Sequence, residues 1–313
     1  MIAARGEAAQ RKGFALLAVL WVVVIGSVAA MASQLIARSA VLSAQNRMLQ
    51  VAARWNAEAC VAHARAEIDE SLASYSSADR GRDPWMLIDS IVASSVSVEA
   101  HDCSMAVVPS GLQLDVNEAT AEQLQALFVA LGKPDAVADS MADVLLDWRD
   151  SDDMVRPAGA EAAWYATNGI GIRNGPIANI AELEAARGFD DLAGLDSVLG
   201  IESGRISLAH APPALLVSLP GFSQEVVVRV QEERKVSVQG ITLDRIVAGL
   251  STTGRDSVFR HYSELLRLTS PEPEFWEIAT RGFSGQPRIS VTTETRLVRA
   301  ARRAAVVRHR EVH

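Results

Sequence analysis

Cysteine is scarce in this chain, with only Cys60 and Cys103 among 313 residues. That number and spacing suit no cysteine-ligated metal site. Two readings stand for the pair: a disulfide formed in an oxidising compartment, or two buried thiols. Positive charge is in deficit, 30 Lys+Arg against 38 Asp+Glu, so a general attraction to nucleic acid is not expected. The six histidines (His63, His101, His210, His261, His309 and His313) are scattered, and none stands in a Ser-His-Asp or Cys-His context. No catalytic residue and no enzyme is therefore expected. Punctuation is missing from the first quarter: no proline before Pro84, and no glycine between Gly26 and Gly81. That leaves nothing to break a long helix.

What is present begins with Phe14 to Ala37, 24 residues without Asp, Glu, Lys or Arg. As a helix this run reaches about 36 Å, more than the ~30 Å hydrocarbon core of a bilayer. Arg5, Arg11 and Lys12 against Glu7 place the N-terminus in the cytoplasm and the rest outside. A cleaved secretory signal is the alternative, with Ala30 and Ala32 imitating its small-x-small site. Beyond the run, Leu35, Leu42 and Leu49 recur at sevens, as do Ala52, Ala59 and Ala66. The spacing predicts one helix from about Phe14 to about Tyr75, half in lipid and half in water.

A loop is expected over Ser76 to Pro84, and β-like runs over Ser94 to Ala100 and Ser104 to Val108. Helical periodicity follows in Asn117 to Leu131, capped by Asn117 or Thr120, and in Ala136 to Trp148. A short helix is read at Ile180 to Ala186. A helix pair is read at Ala214 to Leu219 and Ser223 to Glu233, hinged at Leu219-Pro220-Gly221-Phe222. Alternation returns in Phe275 to Arg281, Arg288 to Arg296 and Ala305 to Val312. The simplest topology inserts the helical block between strands of one sheet, with the long helix packed on that sheet.

Leu114-Asp115-Val116-Asn117-Glu118-Ala119 and Ile206-Ser207-Leu208-Ala209-His210-Ala211 form a near-repeat, each a short extended stretch before a helix. The second leads to an apolar-Pro-Gly-apolar turn of the helix-hairpin-helix kind, whose backbone N–H groups can meet a DNA phosphate. In the first, Pro134 stands where a donor would be, and the surroundings are acidic. A membrane-anchored periplasmic DNA-binding protein is therefore the alternative function, and a protein-interaction or scaffold role the leading one.

From Leu112 to Glu161 there are eleven acids against Lys133, Arg149 and Arg156. Asp147-Trp148-Arg149-Asp150-Ser151-Asp152-Asp153, followed by Gly159-Ala160-Glu161, suits a hard cation such as calcium, which takes ~6–8 oxygen ligands. A solvated acidic loop is the alternative. Counted from Asp150, Glu161 falls at the twelfth position of an EF-hand loop, but Val155 occupies the sixth, where that loop needs glycine.

These residues resemble a known family. Gly13-Phe14 behind basic residues is similar to the prepilin peptidase site of type IV pilins and their secretion relatives. Ala18 replaces the glutamate usual at mature position five. With Asp115-Val116-Asn117-Glu118-Ala119-Thr120, Asp147-Trp148-Arg149-Asp150-Ser151-Asp152, Gly159-Ala160-Glu161, Tyr165, Arg173-Asn174, Glu182-Leu183 and Ala211-Pro212, the chain resembles the K-type minor pseudopilin (GspK) of type II secretion from Gly13 onward. The resemblance implies an α+β, pilin-like fold with a large inserted α-helical domain. Its divisions are a leader (1–13), a transmembrane helix (14–37), a pilin helix with first strands (38–111), the inserted domain (112–270) and the C-terminal strands (271–313). It implies cleavage between Gly13 and Phe14, methylation, and a single pass of the inner membrane with the bulk in the periplasm. It implies a place at the tip of the pseudopilus, initiating assembly in support of protein export. The implied partners are the I-type and J-type minor pseudopilins, the major pseudopilin, the prepilin peptidase and the inner-membrane assembly platform. It also implies calcium, for which Asp150, Asp152, Asp153 and Glu161 are the expected ligands and Asp147 a structural cap. Ala209-His210-Ala211 departs from the family's Asn-rich pattern at the start of the second unit.

Overall fold

The computed structural model describes residues 4–76, 82–95, 102–190, 194–237 and 239–312, with side chains from Leu16 onward and, before the first gap in the sheet region, up to Ala93. One helix, α1, runs Ala4–Ser74. Among its described residues, its first half buries nothing: Leu16, Trp21, Val22, Ile25 and Met31 are exposed. This half holds an 18-residue window of mean hydropathy 2.4, long and apolar enough to cross a membrane. The second half buries one stripe at helical spacing, Ala53, Ala57, Cys60, Val61, Ala64, Ile68 and Leu72. The heptad seam read from sequence is not this stripe, for Leu35 and Leu42 stay exposed. Small residues line the buried face because the sheet comes close: a Cβ on Gly282 would sit 2.0 Å from the Ala53 carbonyl oxygen.

That sheet has strand order β1-β6-β7-β8, antiparallel throughout, from β1 (Cys103–Pro109), β6 (Phe275–Ser284), β7 (Ile289–Ala300) and β8 (Arg303–Val312). Ile68, Leu72, Trp276, Ile278 and Leu297 form its core with Trp85 and with Ile88 and Val92 of α2 (Ile88–Ser95). Burial there contributes about 1.5–3 kcal/mol per large side chain. Trp85 Nε1 donates to Pro273 O at 2.7 Å, and Trp276 Nε1 to Trp85 O at 3.0 Å. A Cys60–Cys103 disulfide ties α1 to β1, deciding between the two readings of the cysteines. The strand expected at Ser94 begins instead as the last turn of α2, and residues 96–101 lie outside those described.

Strands β1 and β6 are neighbours in space, and everything between them is inserted. The insertion consists of two units. Unit one is closed by β2 (Leu114–Asp115) pairing parallel with β3 (Leu199–Gly200). It contains α3 (Ala121–Ala130), α4 (Asp135–Arg149), α5 (Ala162–Thr167) and a 3-10 turn at Ile180–Ala185. Unit two is closed by β4 (Ile206–Ser207) pairing parallel with β5 (Thr269–Ser270). It contains α6 (Pro213–Val217), α7 (Gln224–Val236), α8 (Leu243–Ala248), α9 (Thr252–Arg260) and α10 (Tyr262–Leu268). Thr120, not Asn117, caps α3, through a capping box with Gln123.

The near-repeat is real at the level of single hydrogen bonds. Asp115 O accepts from Glu118 N and Ala119 N, and Ser207 O from His210 N and Ala211 N. Arg149, at the end of α4, donates to Val116 O and, at 2.6 Å, to Ala119 O. Arg234, near the end of α7, donates to Leu208 O at 2.9 Å and Ala211 O at 2.7 Å. In each unit one guanidinium satisfies the same two carbonyls and locks the extended opening onto the long helix.

Candidate metal centre

Unit one gathers three carboxylates where α4 ends and α5 begins. Asp147 lies in the last turn of α4, Asp150 is its C-cap, and Glu161 is the N-cap of α5. One oxygen from each lies within 4.8 Å of the others. Asp147 is 0% exposed and Glu161 5%. The loop from 151 to 160 folds over them by local bonds. Asp143 Oδ2 accepts from Ala158 N at 3.0 Å, and Ser140 Oγ donates to Ala158 O at 2.9 Å. Gly159 is the close approach that makes room, since a Cβ there would stand 1.9 Å from Asp147 Oδ2. Beneath lie Trp148 and Tyr165 in an edge contact, ring centroids 5.1 Å apart.

Countercharge is thin. Arg156 donates its backbone N–H to Asp147 Oδ2 at 3.2 Å, and its Nε lies 3.3 Å from Asp147 Oδ1 as an ion pair not aligned for a hydrogen bond. Its Nη2 is 3.9 Å from Asp150 Oδ2. Asp147 Oδ1, Asp150 Oδ1 and Glu161 Oε1 are buried without any hydrogen-bond donor. Burial, then the charges of Asp147 and Asp150, push the Glu161 carboxyl up to about 7. Burial also raises Asp147 and Asp150 above the ordinary carboxylate range. Three converging carboxylates, each with one buried oxygen lacking a donor and each resisting ionisation, are what a hard cation with oxygen preference would relieve. The residues present therefore fit calcium.

Of the four expected ligands, the structure brings Asp150 and Glu161 together and gives Asp152 and Asp153 other partners. Asp152 Oδ1 accepts from Met154 N at 2.8 Å. Asp153 Oδ1 accepts from Asn174 Nδ2 at 2.9 Å. Both are exposed and shape the loop. The third carboxylate of the cluster is Asp147, expected as a structural cap. Its signal in the sequence was its place one helical turn before Asp150, on the same face of α4. Gly13 and Phe14 of the expected processing site lie within α1, and their side chains are outside those described.

The apolar-Pro-Gly-apolar turn of unit two packs against a neighbouring helix and stays half-buried at Pro220 and Gly221. A Cβ on Gly221 would stand 2.6 Å from Ser257 O of α9. Glu225, just past that turn, accepts from Ser251 N and Ser251 Oγ and fixes the start of α9.

Residues 104–193, from β1 through the carboxylate cluster, match the family model of the first domain of type II secretion system (T2SS) protein K. No curated protein matches the chain. In fold the chain is similar to one in the crystal structure of the GspK-GspI-GspJ complex from the enterotoxigenic Escherichia coli type 2 secretion system. The TM-score is 0.59 at 17% identity, over 87% of this chain and 98% of that one.

Proposed function

We propose that this chain, which carries the first domain of a type II secretion K protein on a pilin-like fold, is the minor pseudopilin at the tip of a periplasmic pseudopilus. The carrying observation is the placement of the K-protein segment. It starts in β1 of a sheet packed on α1 and continues into an insertion that interrupts that sheet before β6. A filament subunit needs a long apolar helix free to pack against others, and the first half of α1 buries nothing within the chain among its described residues. The role is structural: α1 anchors the protein once in the inner membrane, and the sheet and insertion stand in the periplasm, where the Cys60–Cys103 disulfide is at home.

Ala18 supports the terminal position. A glutamate at mature position five would neutralise the N-terminal ammonium of a neighbouring subunit inside the membrane, where an unpaired charge is costly. A helix without it suits a subunit present once, above which no other stacks. The partners that fit are the I-type and J-type minor pseudopilins, the companions of GspK in the similar structure's complex. Together they would initiate assembly on the inner-membrane platform, with the major pseudopilin added beneath. Asp147, Asp150 and Glu161 would hold calcium, which supplies positive charge that joins the end of α4 to the start of α5.

Mass spectrometry of the mature N-terminus tests the proposal. Cleavage between Gly13 and Phe14 is expected, with a methylated phenylalanine first. An intact Met1, or a new terminus near Ala32, would overturn it.

A further inference from the structure

At the end of α7, unit two meets the 3-10 turn Pro84–Leu87 that precedes α2. Between them lies a cavity of about 130 Å³, lined among others by Arg82, His210 and Arg234. That is room for about four waters at ~30 Å³ each, the size of one phosphate or carboxylate group rather than a nucleotide. Two arginines and a histidine line it, and no acid does among the described residues.

The repeat makes this lining informative. Arg149, the unit-one counterpart of Arg234, has the carboxylates of Glu118, Asp115 and Asp150 around it. Arg234 has none among the described residues, and burial is what acts on its guanidinium. Its bonds to Leu208 O and Ala211 O use two of its five N–H groups. Arg82 is exposed and makes no ion pair with any described residue. His210 is fixed at one nitrogen by Ser207 Oγ, 3.3 Å from Nδ1, and its ring meets Trp276 edge-on with centroids 5.7 Å apart. Burial and the charge of Arg234 push that imidazole below its ordinary pKa, against a weaker pull from Asp89 on α2. A half-buried guanidinium held in place by carbonyls, facing a small cavity with a second guanidinium at its rim, is short of one negative charge.

We propose that this cavity is an oxyanion site, formed by Arg82, Arg234 and His210, which takes a single carboxylate or phosphate group. Arginine suits the task because its planar fork pairs with two oxygens at once. A carboxylate would come from an acidic side chain or chain terminus of a partner protein, a phosphate from a free ion.

The test is isothermal titration of the full chain in detergent with inorganic phosphate and, separately, with sodium acetate at low ionic strength. Arg82→Gln is the diagnostic variant, because Arg82 lies outside both cores, and Arg302→Gln, on the β7–β8 turn, is the control. Saturable binding of either probe, at least tenfold weaker in Arg82→Gln and unchanged in Arg302→Gln, is expected. A response to phosphate alone assigns a phosphate group, and a response to acetate assigns a carboxylate. No saturation with either probe by about 10 mM, or equal binding by Arg82→Gln and the parent, would overturn the site.

Discussion

Arg149 in unit one and Arg234 in unit two grip the same pair of backbone carbonyls in the same frame, yet the charges around them have opposite fates. Unit one crowds Asp147, Asp150 and Glu161 together with Arg156 as their cation, and three of their oxygens find no donor. Among its described residues unit two buries a single carboxylate, Glu233, and pairs it with two arginines: Arg229, and Arg245 at 3.0 Å. What unit two leaves short of a partner is a cation, Arg234. The scaffold of strand, hairpin and clamp is therefore separable from the chemistry it carries. In unit one the surplus is negative; in unit two the charge is closed internally, apart from the cavity at the end of α7.

The clamp is where the two units should behave alike, and there the effect is largest. Arg149→Met and Arg234→Met each strand two carbonyls, and a loss of about 4 kcal/mol is expected for either by urea unfolding. A loss in only one of them would break the equivalence of the units. The next contrast is pH. The Glu161 carboxyl titrates near 7 in the fold against about 4.5 unfolded, so protonation favours the folded state. The ion-free chain, kept in chelator, should carry the full Glu161 contribution to stability below pH 4.5. It should lose about 3 kcal/mol as pH rises to 7, and Glu161→Gln should flatten that slope.

Calcium should then reverse the loss. At a hundredfold excess over its dissociation constant it adds about 2.7 kcal/mol, read as a rise in melting temperature that Asp147→Asn abolishes. The smallest expected effect is in unit two. Glu233→Gln leaves Arg229 and Arg245 without their carboxylate and should cost about 1–2 kcal/mol, equally with and without calcium. A calcium-dependent cost there would erase the distinction between the units.

Much of the frame is legible in the sequence because it rests on local rules. The absence of proline before Pro84 and of glycine between Gly26 and Gly81 foretells α1, apolar periodicity foretells α3 and α4, and alternation foretells β6 to β8. What was not legible depends on partners distant in sequence. The face of α1 that buries follows from where Gly282 lets the sheet approach, not from the heptad of leucines. The helical turns of α8 to α10 are each too short to show a period. Asp147 reads as a helix-end acid until Gly159 folds over it, and the bonds of Asp152 to Met154 N and of Asp153 to Asn174 Nδ2 appear only once the loop is folded. A dense acidic run raises the question of a cation; only the fold selects which oxygens converge.

The most direct test of a cation-centred unit one is metal analysis of the full chain purified in the presence of calcium, by inductively coupled plasma mass spectrometry. At least one calcium per chain is predicted for the parent and for Glu233→Gln, with loss from Asp147→Asn and from Asp150→Asn. A parent chain free of calcium, or Asp147→Asn and Asp150→Asn chains that keep it, would contradict the account.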